Sequence, residues 1–315
     1  MTTPSPLLGS LDMARFVARG FLRFDGVVPA EINDQFLAEA GEAPEPGAKM
    51  RQTYGRLLSG SGIPEVAPGV PLSAAYPQGS AIDRLLKLPL VAGAIRSLVG
   101  PEPVFDHHFL HVTFPPAYYE TGGENVSQHT HQDSTIDPQA GFDLQIMYYP
   151  HQVTRLMGGT RFIPGTHLRK VSEVSLGRYQ NMVGQQHMVC EAGTLLFLHN
   201  GIWHGGGVNL SDRTRTMFKI RMNPVEPQIR RWDMATMPEA PAERPIFFVK
   251  GQLPETVESI LMTPEPWFEQ DTGRLEYVNR IKLWRHLTGD PTFDSDYWMT
   301  RLENPARVRR PAFGP

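Results

Sequence analysis

The sequence has very little cysteine: Cys190 is the one cysteine among 315 residues, so no disulfide can form within the chain. This scarcity favours a reducing compartment, and we expect a cytoplasmic protein. The first residues lack the basic start and apolar core of a signal peptide. No apolar run approaches the roughly 18 residues of a membrane span. We therefore expect neither secretion nor a membrane partner.

A strong excess of charge is also missing. Lys and Arg number 30 against 33 for Asp and Glu, which gives a formal net charge of -3. So small an imbalance does not favour a nucleic-acid partner or an acidic membrane surface. Hydrophobic residues make up 40% of the chain and charged residues 20%, which is typical of a globular protein.

The pattern of apolar residues changes about a third of the way along the chain. The first hundred residues predict short helices in LDMARFVARG, PAEINDQFLAEA and AIDRLLKLPLVAGAIRSLVG, the last of them interrupted near Pro89. The next part is β-branched, aromatic and punctuated by Gly, Pro and Asn, which is typical of short strands. The strand-like runs are VFDHHFLHVTF, DLQIMYYP, TRFIP, HMVCEAG, TLLFLHN and TRTMFKIRMN.

These patterns predict a mainly β protein with flanking α-helices, arranged as an antiparallel sandwich or barrel. We expect a single domain over 1–315. A helical N-terminal layer covers about 1–100, the β core about 101–225, and a C-terminal extension about 226–315. The extension contains one helix-like stretch, EYVNRIKLWRHL.

A candidate metal site lies in SQHTHQDSTID, residues 127–137. His131 and Asp133 alternate in a strand-like run, so both side chains point to the same face. His204 follows in the glycine-rich run HNGIWHGGGVN. Two imidazoles and one carboxylate form the ligand set that suits non-haem Fe(II). His129 shares the parity of His131, so the pair of histidines is an alternative ligand set, but we expect His129 to lie beside the metal rather than to bind it.

Three protein ligands would leave positions open for a chelating cosubstrate and for O2. A cosubstrate with a distant carboxylate needs a cation, and the planar fork of arginine grips a carboxylate with two hydrogen bonds. Arg215, eleven residues after His204, is suited to this role. Arg213 has the same strand parity and remains a rival.

Four segments together resemble the phytanoyl-CoA dioxygenase family of Fe(II)/2-oxoglutarate-dependent oxygenases. They are RGFLRFDGVV, HQD at 131–133, GGTRFIPGTH at 158–167 and EAGTLLFLHNGIWHGGGVNLSDRTR at 191–215. The resemblance covers about residues 10–225. GGTRFIPGTH looks closest to the members that hydroxylate or rearrange natural products.

The resemblance implies a double-stranded β-helix, or jelly-roll, core. It also implies that His131, Asp133 and His204 hold the iron. Arg215 would bind the distal carboxylate of 2-oxoglutarate, helped by Gln128 and Thr160. Two positions depart from the family pattern: Met157 stands where Asn is frequent, and Gly206 where some members carry a cosubstrate-binding Ser.

The activity that the resemblance implies is oxidation of an unactivated C–H bond in a small, hydrophobic, natural-product-like substrate. O2 and 2-oxoglutarate would be consumed, and succinate and CO2 released. A carboxylate at Asp133 favours oxygenation over halogenation, because the halogenating relatives have a small residue there.

Two other functions use the same residues. A cupin-type isomerase or dioxygenase independent of 2-oxoglutarate would explain Gly123 followed by His129 and His131. The cupin motif, however, requires a Glu where Thr135 or Ile136 stands. A non-catalytic jelly-roll binding module is the second alternative, and an intact triad with an arginine argues against it.

Several other side chains could line a pocket or belong to the core. His107 and His111 share a strand face, and we expect a core or pocket wall rather than a metal site. The aromatic candidates for a pocket wall are Tyr118, Tyr119, Tyr148 and Trp203.

Overall fold

The structure is a computed structural model that describes residues 6–41, 61–119, 127–133, 142–169, 171–176, 181–237, 255–267 and 270–293. The elements, contacts and cavities below belong to these ranges. None of the helices in them has the length and apolar character needed to cross a lipid bilayer.

The described residues form eight strands and seven α-helices. The strands are β1 (Phe21–Phe24), β2 (Val104–Thr113), β3 (Leu144–Tyr149), β4 (Thr160–Ile163), β5 (Gln186–His187), β6 (Thr194–His199), β7 (Trp203–Gly206) and β8 (Arg215–Asn223). The helices are α1 (Ser10–Arg19), α2 (Ala30–Ala40), α3 (Ala81–Leu86), α4 (Pro89–Leu98), α5 (Glu173–Leu176), α6 (Val257–Met262) and α7 (Gln270–Thr288).

The strands form two antiparallel sheets. The larger sheet has the order β1-β6-β3-β8-β2, and the smaller has the order β5-β4-β7. The segment at 127–131 extends the smaller sheet alongside β7: Gln128 N–H donates to Gly206 O at 3.0 Å, and His131 pairs with His204. Apart from β1 at its edge, the larger sheet thus holds β2, β8, β3 and β6, and the smaller holds this segment, β7, β4 and β5. This is the strand order of a double-stranded β-helix, and the predicted jelly-roll core is confirmed.

The two central strands explain why the core is stable. All six residues of β3 and all six of β6 are buried, because helices cover one face of the larger sheet and the smaller sheet covers the other. Runs that are mostly apolar, such as LQIMYY and TLLFLH, are typical of strands buried on both faces.

Two strand predictions differ from the structure. Strand β1 was not predicted; its four residues directly follow helix α1 and pair with β6 inside the part of the chain expected to be helical. In HMVCEAG, only His187 belongs to a regular strand, and Cys190 forms an isolated bridge with Val153. The run ends in a turn because Gly193 has a φ of 76°.

The helix predictions in the first hundred residues are confirmed. Helix α1 ends at Gly20, which has a φ of 79° and donates its N–H to Phe16 O at 2.7 Å. The long third run is divided into α3 and α4, and Pro89 is the first residue of α4.

The C-terminal helices α6 and α7 pack against α1, and Trp267, which lies between these two helices in the chain, contacts the smaller sheet. Trp267 stacks on Trp203 of β7 with ring centroids 6.3 Å apart, and its indole N–H donates to Pro164 O at 2.8 Å. Arg280 of α7 is fully buried and donates to Leu261 O and Thr263 O. The helix predicted in EYVNRIKLWRHL is therefore present, and it contacts α1 and the turn at Thr166–Leu168 that follows β4.

Two consecutive glycines allow the chain to pass close to its neighbours just before β4. Gly158 has a φ of 62°, and a Cβ there would overlap the carbonyl oxygen of Val208. A Cβ at Gly159 would overlap the carbonyl oxygen of Met188. The GG pair of the GGTRFIPGTH motif is thus required by backbone packing beside Thr160.

We expect Gly158→Ala to lower the free energy of unfolding more than Gly79→Ala. Both glycines have a positive φ, so each alanine costs about 1–2 kcal/mol from backbone strain. Gly79 has no neighbouring atom within 4 Å of an added Cβ, whereas Gly158 meets backbone, which adds about 1–3 kcal/mol of overpacking. Urea unfolding of the two variants measures the difference, and equal losses would contradict the close approach.

Candidate metal centre and cosubstrate cavity

The structure brings His131, Asp133 and His204 together where the two sheets meet. Their ligand atoms all lie within 4.8 Å of one another. Asp133 Oδ1 is 3.6 Å from His131 Nε2, and Asp133 Oδ2 is 3.4 Å from His204 Nε2. The backbone sets this arrangement, because His131 and His204 exchange two N–H···O bonds of 2.9 Å. Asp133 N–H donates to Asn200 O at 2.8 Å.

Both imidazoles are oriented by a backbone carbonyl. His131 Nδ1 lies 3.0 Å from His129 O, and His204 Nδ1 lies 2.9 Å from Ile202 O. A carbonyl oxygen can only accept, so each Nδ1 carries the proton and donates it. The unprotonated Nε2 of each ring then faces Asp133, which is the arrangement that metal-binding histidines require.

The dimensions of the three-residue group suit an octahedral ion. Adjacent ligands with bonds of about 2.1 Å at right angles are about 3 Å apart. The separations of 3.4 and 3.6 Å involve different oxygens of Asp133, and one ligand atom from each residue lies within 4.8 Å of the others, so an ion would require the carboxylate to turn and the group to contract. Two imidazole nitrogens and one carboxylate oxygen are the donor set of non-haem Fe(II).

The protonation states also suit a metal. Burial lowers the pKa of His204 to about 4, although the Asp133 carboxylate opposes this change. Burial alone would raise the pKa of Asp133, but His204 and Lys219 outweigh it and hold that pKa well below its usual value. At neutral pH, His204 is therefore neutral and Asp133 is ionised, as metal ligands must be.

The group opens into a cavity of about 730 Å³ between the sheets. It is lined by Phe109, His111, Val112, Thr113, Tyr119, Ser127, Gln128, His129, His131, Asp133, Met147, Thr160, His204, Gly205, Gly206, Gly207, Arg215, Met217 and Lys219. The predicted residues Gln128, Thr160 and Arg215 thus share one cavity with the candidate metal ligands.

Arg215 is the first residue of β8 and is only 4% exposed. It donates to Thr113 Oγ1 at 2.7 Å and to Met157 O at 3.4 Å. Arg213 lies before β8 begins, is exposed and does not line the cavity. Of the two arginines left open by the sequence, the structure therefore places Arg215 at the cavity.

Gln128 and Thr160 each retain a hydrogen-bond donor for the cavity. Gln128 Oε1 accepts from Gly206 N–H at 3.0 Å, which leaves its amide NH2 to donate elsewhere. Tyr149 OH donates to Thr160 Oγ1 at 2.9 Å, which leaves the hydroxyl proton of Thr160. Both residues are thus suited to hold an anion.

The two departures from the family pattern lie beside Arg215. Met157 contributes its carbonyl oxygen to the Arg215 guanidinium rather than a side-chain amide. A Cβ at Gly206 would lie 3.7 Å from Arg215 Nη2 and 3.6 Å from Gln128 Oε1. The absence of a side chain at Gly206 therefore leaves room between these two residues.

Of the other side chains that the sequence suggested for a pocket wall, some line the cavity and others lie in the core. His111 and Tyr119 line the cavity. Tyr148 and Trp203 are buried in the core, and Tyr118 stacks on Phe114 at 5.1 Å. His129 lines the cavity but does not belong to the three-residue group, in which its carbonyl serves His131.

Sequence reasoning missed Lys219, whose Nζ lies 3.3 Å from Asp133 Oδ2. The signal was available, because Lys219 follows Arg215 by four residues on β8 and alternation places both on one face. Lys219 is 6% exposed and lines the cavity.

A double-stranded β-helix with two imidazoles, a carboxylate and a buried arginine in one cavity defines a non-haem iron oxygenase of the 2-oxoglutarate-dependent class. The family model described as phytanoyl-CoA dioxygenase (PhyH) matches residues 16–217. The chain belongs to this family, and Fe(II) and 2-oxoglutarate are its cofactor and cosubstrate.

Several solved structures resemble the chain. The non-heme alpha ketoglutarate dependent epimerase SnoN from nogalamycin biosynthesis is 19% identical, with a TM-score of 0.45 over 68% of this chain and 83% of that one. HygX from Streptomyces hygroscopicus, with nickel and 2-oxoglutarate bound, is 14% identical, with a TM-score of 0.46 over 70% and 88%. The carbocyclase SnoK from nogalamycin biosynthesis is 15% identical, with a TM-score of 0.49 over 72% and 88%. No curated protein sequence matched the chain.

Proposed function

We propose that the chain oxidises an unactivated C–H bond of a small, hydrophobic, natural-product-like substrate. In the simplest case one oxygen atom of O2 enters the substrate as a hydroxyl group and the other enters succinate, as 2-oxoglutarate loses CO2. The observation that carries the proposal is the single cavity shared by the three candidate ligands and Arg215.

In this proposal His131, Asp133 and His204 hold the iron, and the bound iron with 2-oxoglutarate supplies the oxidant. Each imidazole offers Nε2 because a backbone carbonyl holds its Nδ1 proton. Asp133 offers one carboxylate oxygen and remains ionised at neutral pH. His204 and Asp133 are therefore in the protonation states that a metal requires before it binds.

Arg215 holds the distal carboxylate of 2-oxoglutarate, and Gln128 and Thr160 assist it. Arg215 is buried, so its charge is poorly screened and its attraction for a carboxylate is strong. Thr113, its cross-strand partner, fixes the guanidinium from the other side. The cosubstrate would thus lie between β8 and the smaller sheet.

The rest of the cavity wall supports a hydrophobic substrate. Phe109, Tyr119, Met147 and Met217 contribute apolar surface beyond the candidate ligands. Methionine side chains adapt to irregular shapes, and aromatic rings favour flat ones. A cavity of about 730 Å³ leaves space for a small organic molecule beside the cosubstrate.

The test is anaerobic addition of Fe(II) and 2-oxoglutarate to the metal-free protein. We expect a metal-to-ligand charge-transfer band in the visible that requires both additions. The matched control is Arg213→Ala, which changes an exposed arginine outside the cavity and should leave the band unchanged. If wild-type protein with stoichiometric Fe(II) develops no band at saturating 2-oxoglutarate, the proposal is wrong.

The cupin alternative has less support. His129, which that reading uses as a ligand, has an exposed side chain outside the three-residue group. Gly123, Thr135 and Ile136 lie outside the described residues. Turnover that continues with Fe(II) and O2 in the complete absence of 2-oxoglutarate would favour a cupin-type enzyme over a 2-oxoglutarate-dependent one.

A further inference from the structure

The cavity contains a second buried cation that the proposed function does not use. Arg215, Met217 and Lys219 alternate along β8, and all three line the cavity. Arg215 lies at the end of the cavity where Gln128 and Thr160 are found, whereas Lys219 lies beside Asp133. With the distal carboxylate of 2-oxoglutarate at Arg215, Lys219 remains for another ligand.

Among the described residues that line the cavity, positive groups exceed negative ones by one when Fe(II) and 2-oxoglutarate are bound and Lys219 is protonated. Asp133 and the 2-oxoglutarate dianion carry three negative charges, whereas Fe(II), Arg215 and Lys219 carry four positive ones. Among the residues that the structure describes, no other charged side chain lines the cavity, and the nearby Arg221 pairs with Asp106 at 3.3 Å. An anionic group of the substrate next to Lys219 would be attracted to this positive charge.

The hydrogen-bonding capacity of Lys219 also favours an anionic group of the substrate beside it. An ammonium group has three N–H donors, and the hydrogen bond from Lys219 to a described residue goes to Asp133 Oδ2. Burial places the other donors in or beside the cavity rather than in bulk water. An anionic oxygen of the substrate would satisfy them.

Phe109 supplies an apolar surface next to this cation. It lines the cavity but is 46% exposed, which is unusual for a phenylalanine on a strand. Lys219 Nζ lies 5.2 Å from the centre of its ring. The rings of His107 and His111 flank it at 4.9 and 5.8 Å. The exposed ring can therefore pack against a flat apolar group whose acidic oxygen reaches Lys219.

We propose that Lys219 and Phe109 form the anchoring subsite for the primary substrate, which is an aromatic molecule with an acidic oxygen such as a carboxylate. The proposal rests on the proposed function and narrows it to one substrate class. Lys219 contacts the anion, and Phe109 packs against the ring. The substrate is thereby positioned beside Asp133, on the side of the metal centre away from Arg215.

The test uses 2-naphthoate and its uncharged analogue 2-naphthamide as probes. Calorimetric titration into protein loaded with Ni(II) and saturating 2-oxoglutarate measures binding without turnover. We expect wild-type protein to bind 2-naphthoate at least about tenfold more tightly than 2-naphthamide, as a charged hydrogen bond provides. Unchanged 2-oxoglutarate occupancy, measured by a filter assay, excludes competition at Arg215.

Variants identify the residues responsible. Lys219→Met should remove the preference for 2-naphthoate, whereas Lys219→Arg should retain most of it. Phe109→Ala should weaken both probes by about fivefold or more, because the lost contact is apolar. Lys87→Met is the matched control, since Lys87 pairs with Asp83 on the distant helix α3 and should not affect either probe. Each variant is first assayed for full Ni(II) and 2-oxoglutarate content.

The outcomes separate this proposal from the proposed function. Equal affinity of wild-type protein for the two probes overturns the subsite, and so does an unchanged preference in fully loaded Lys219→Met. Loss of 2-oxoglutarate binding in Lys219→Met also overturns it, because Lys219 would then serve the cosubstrate. Wild-type protein that binds no 2-oxoglutarate refutes the proposed function before the probes are used.

Discussion

Asp133→Ala should weaken Fe(II) binding by more than about 100-fold and abolish 2-oxoglutarate turnover, because changes in residues that merely orient ligands already cost 10–100-fold. Asp133 is the anionic member of the group, and its oxygens lie 3.6 and 3.4 Å from the two imidazole Nε2 atoms. Competition against a chromophoric chelator measures the affinity. Iron binding at the wild-type level would show that Asp133 is not a ligand.

Asp133→Ala also has a structural effect that must be separated from the loss of metal. Lys219 is buried beside Asp133, and removing one partner of a buried ion pair costs about 3–5 kcal/mol. The double variant Asp133→Ala/Lys219→Met removes both charges and should recover most of the free energy of unfolding. If the stable double variant still fails to bind Fe(II), the loss belongs to the missing ligand rather than to misfolding.

Arg215→Ala should raise the concentration of 2-oxoglutarate required for half-saturation by about 10- to 100-fold. The estimate follows from the loss of one charged hydrogen-bonded contact of about 1.5–3 kcal/mol. Fe(II) affinity in the absence of 2-oxoglutarate should change little, because Arg215 contacts Thr113 and Met157 rather than the candidate ligands. Titration of the visible charge-transfer band with 2-oxoglutarate measures the shift.

Two further variants sharpen this test. Arg215→Lys keeps the charge but loses the planar fork. The concentration of 2-oxoglutarate that it needs for half-saturation should therefore lie between those of wild type and Arg215→Ala. Arg213→Ala should behave as wild type, since Arg213 is exposed. If Arg215→Ala needs no more 2-oxoglutarate than wild type for half-saturation but Arg213→Ala does, then Arg213 rather than Arg215 binds the cosubstrate.

The general fold and the metal group could be predicted because strand alternation and residue chemistry are local signals. His131 and Asp133 share a face by spacing alone, and the apolar runs that became β3 and β6 are long enough to identify. The pairing of the segment at 127–131 with β7 is a long-range contact. The sequence indicated it only through the resemblance to a family.

The alternation of side chains along strands gave a wrong prediction, or none, for residues in very short strands or just before the start of a strand. Arg213 and Arg215 have the same parity, but β8 begins at Arg215. Arg213 lies in the preceding loop, where its carbonyl oxygen accepts a hydrogen bond of 2.7 Å from the side-chain amide of Asn209. Strand β1 has only four residues directly after a helix, too few to show a period. Lys219 was overlooked because no motif contains it, although its spacing from Arg215 was visible.

The carbonyl that orients each metal-site histidine lies two residues before that histidine, at His129 for His131 and at Ile202 for His204. Each ring is therefore aimed by a tripeptide of its own strand, without help from a distant side chain. The side chains at 129 and 202 take no part in this contact, so the orientation of the imidazoles depends on the backbone and not on what these side chains are. Substitutions in the rest of the cavity wall can therefore change which molecule the cavity accepts without turning the imidazoles away from the metal.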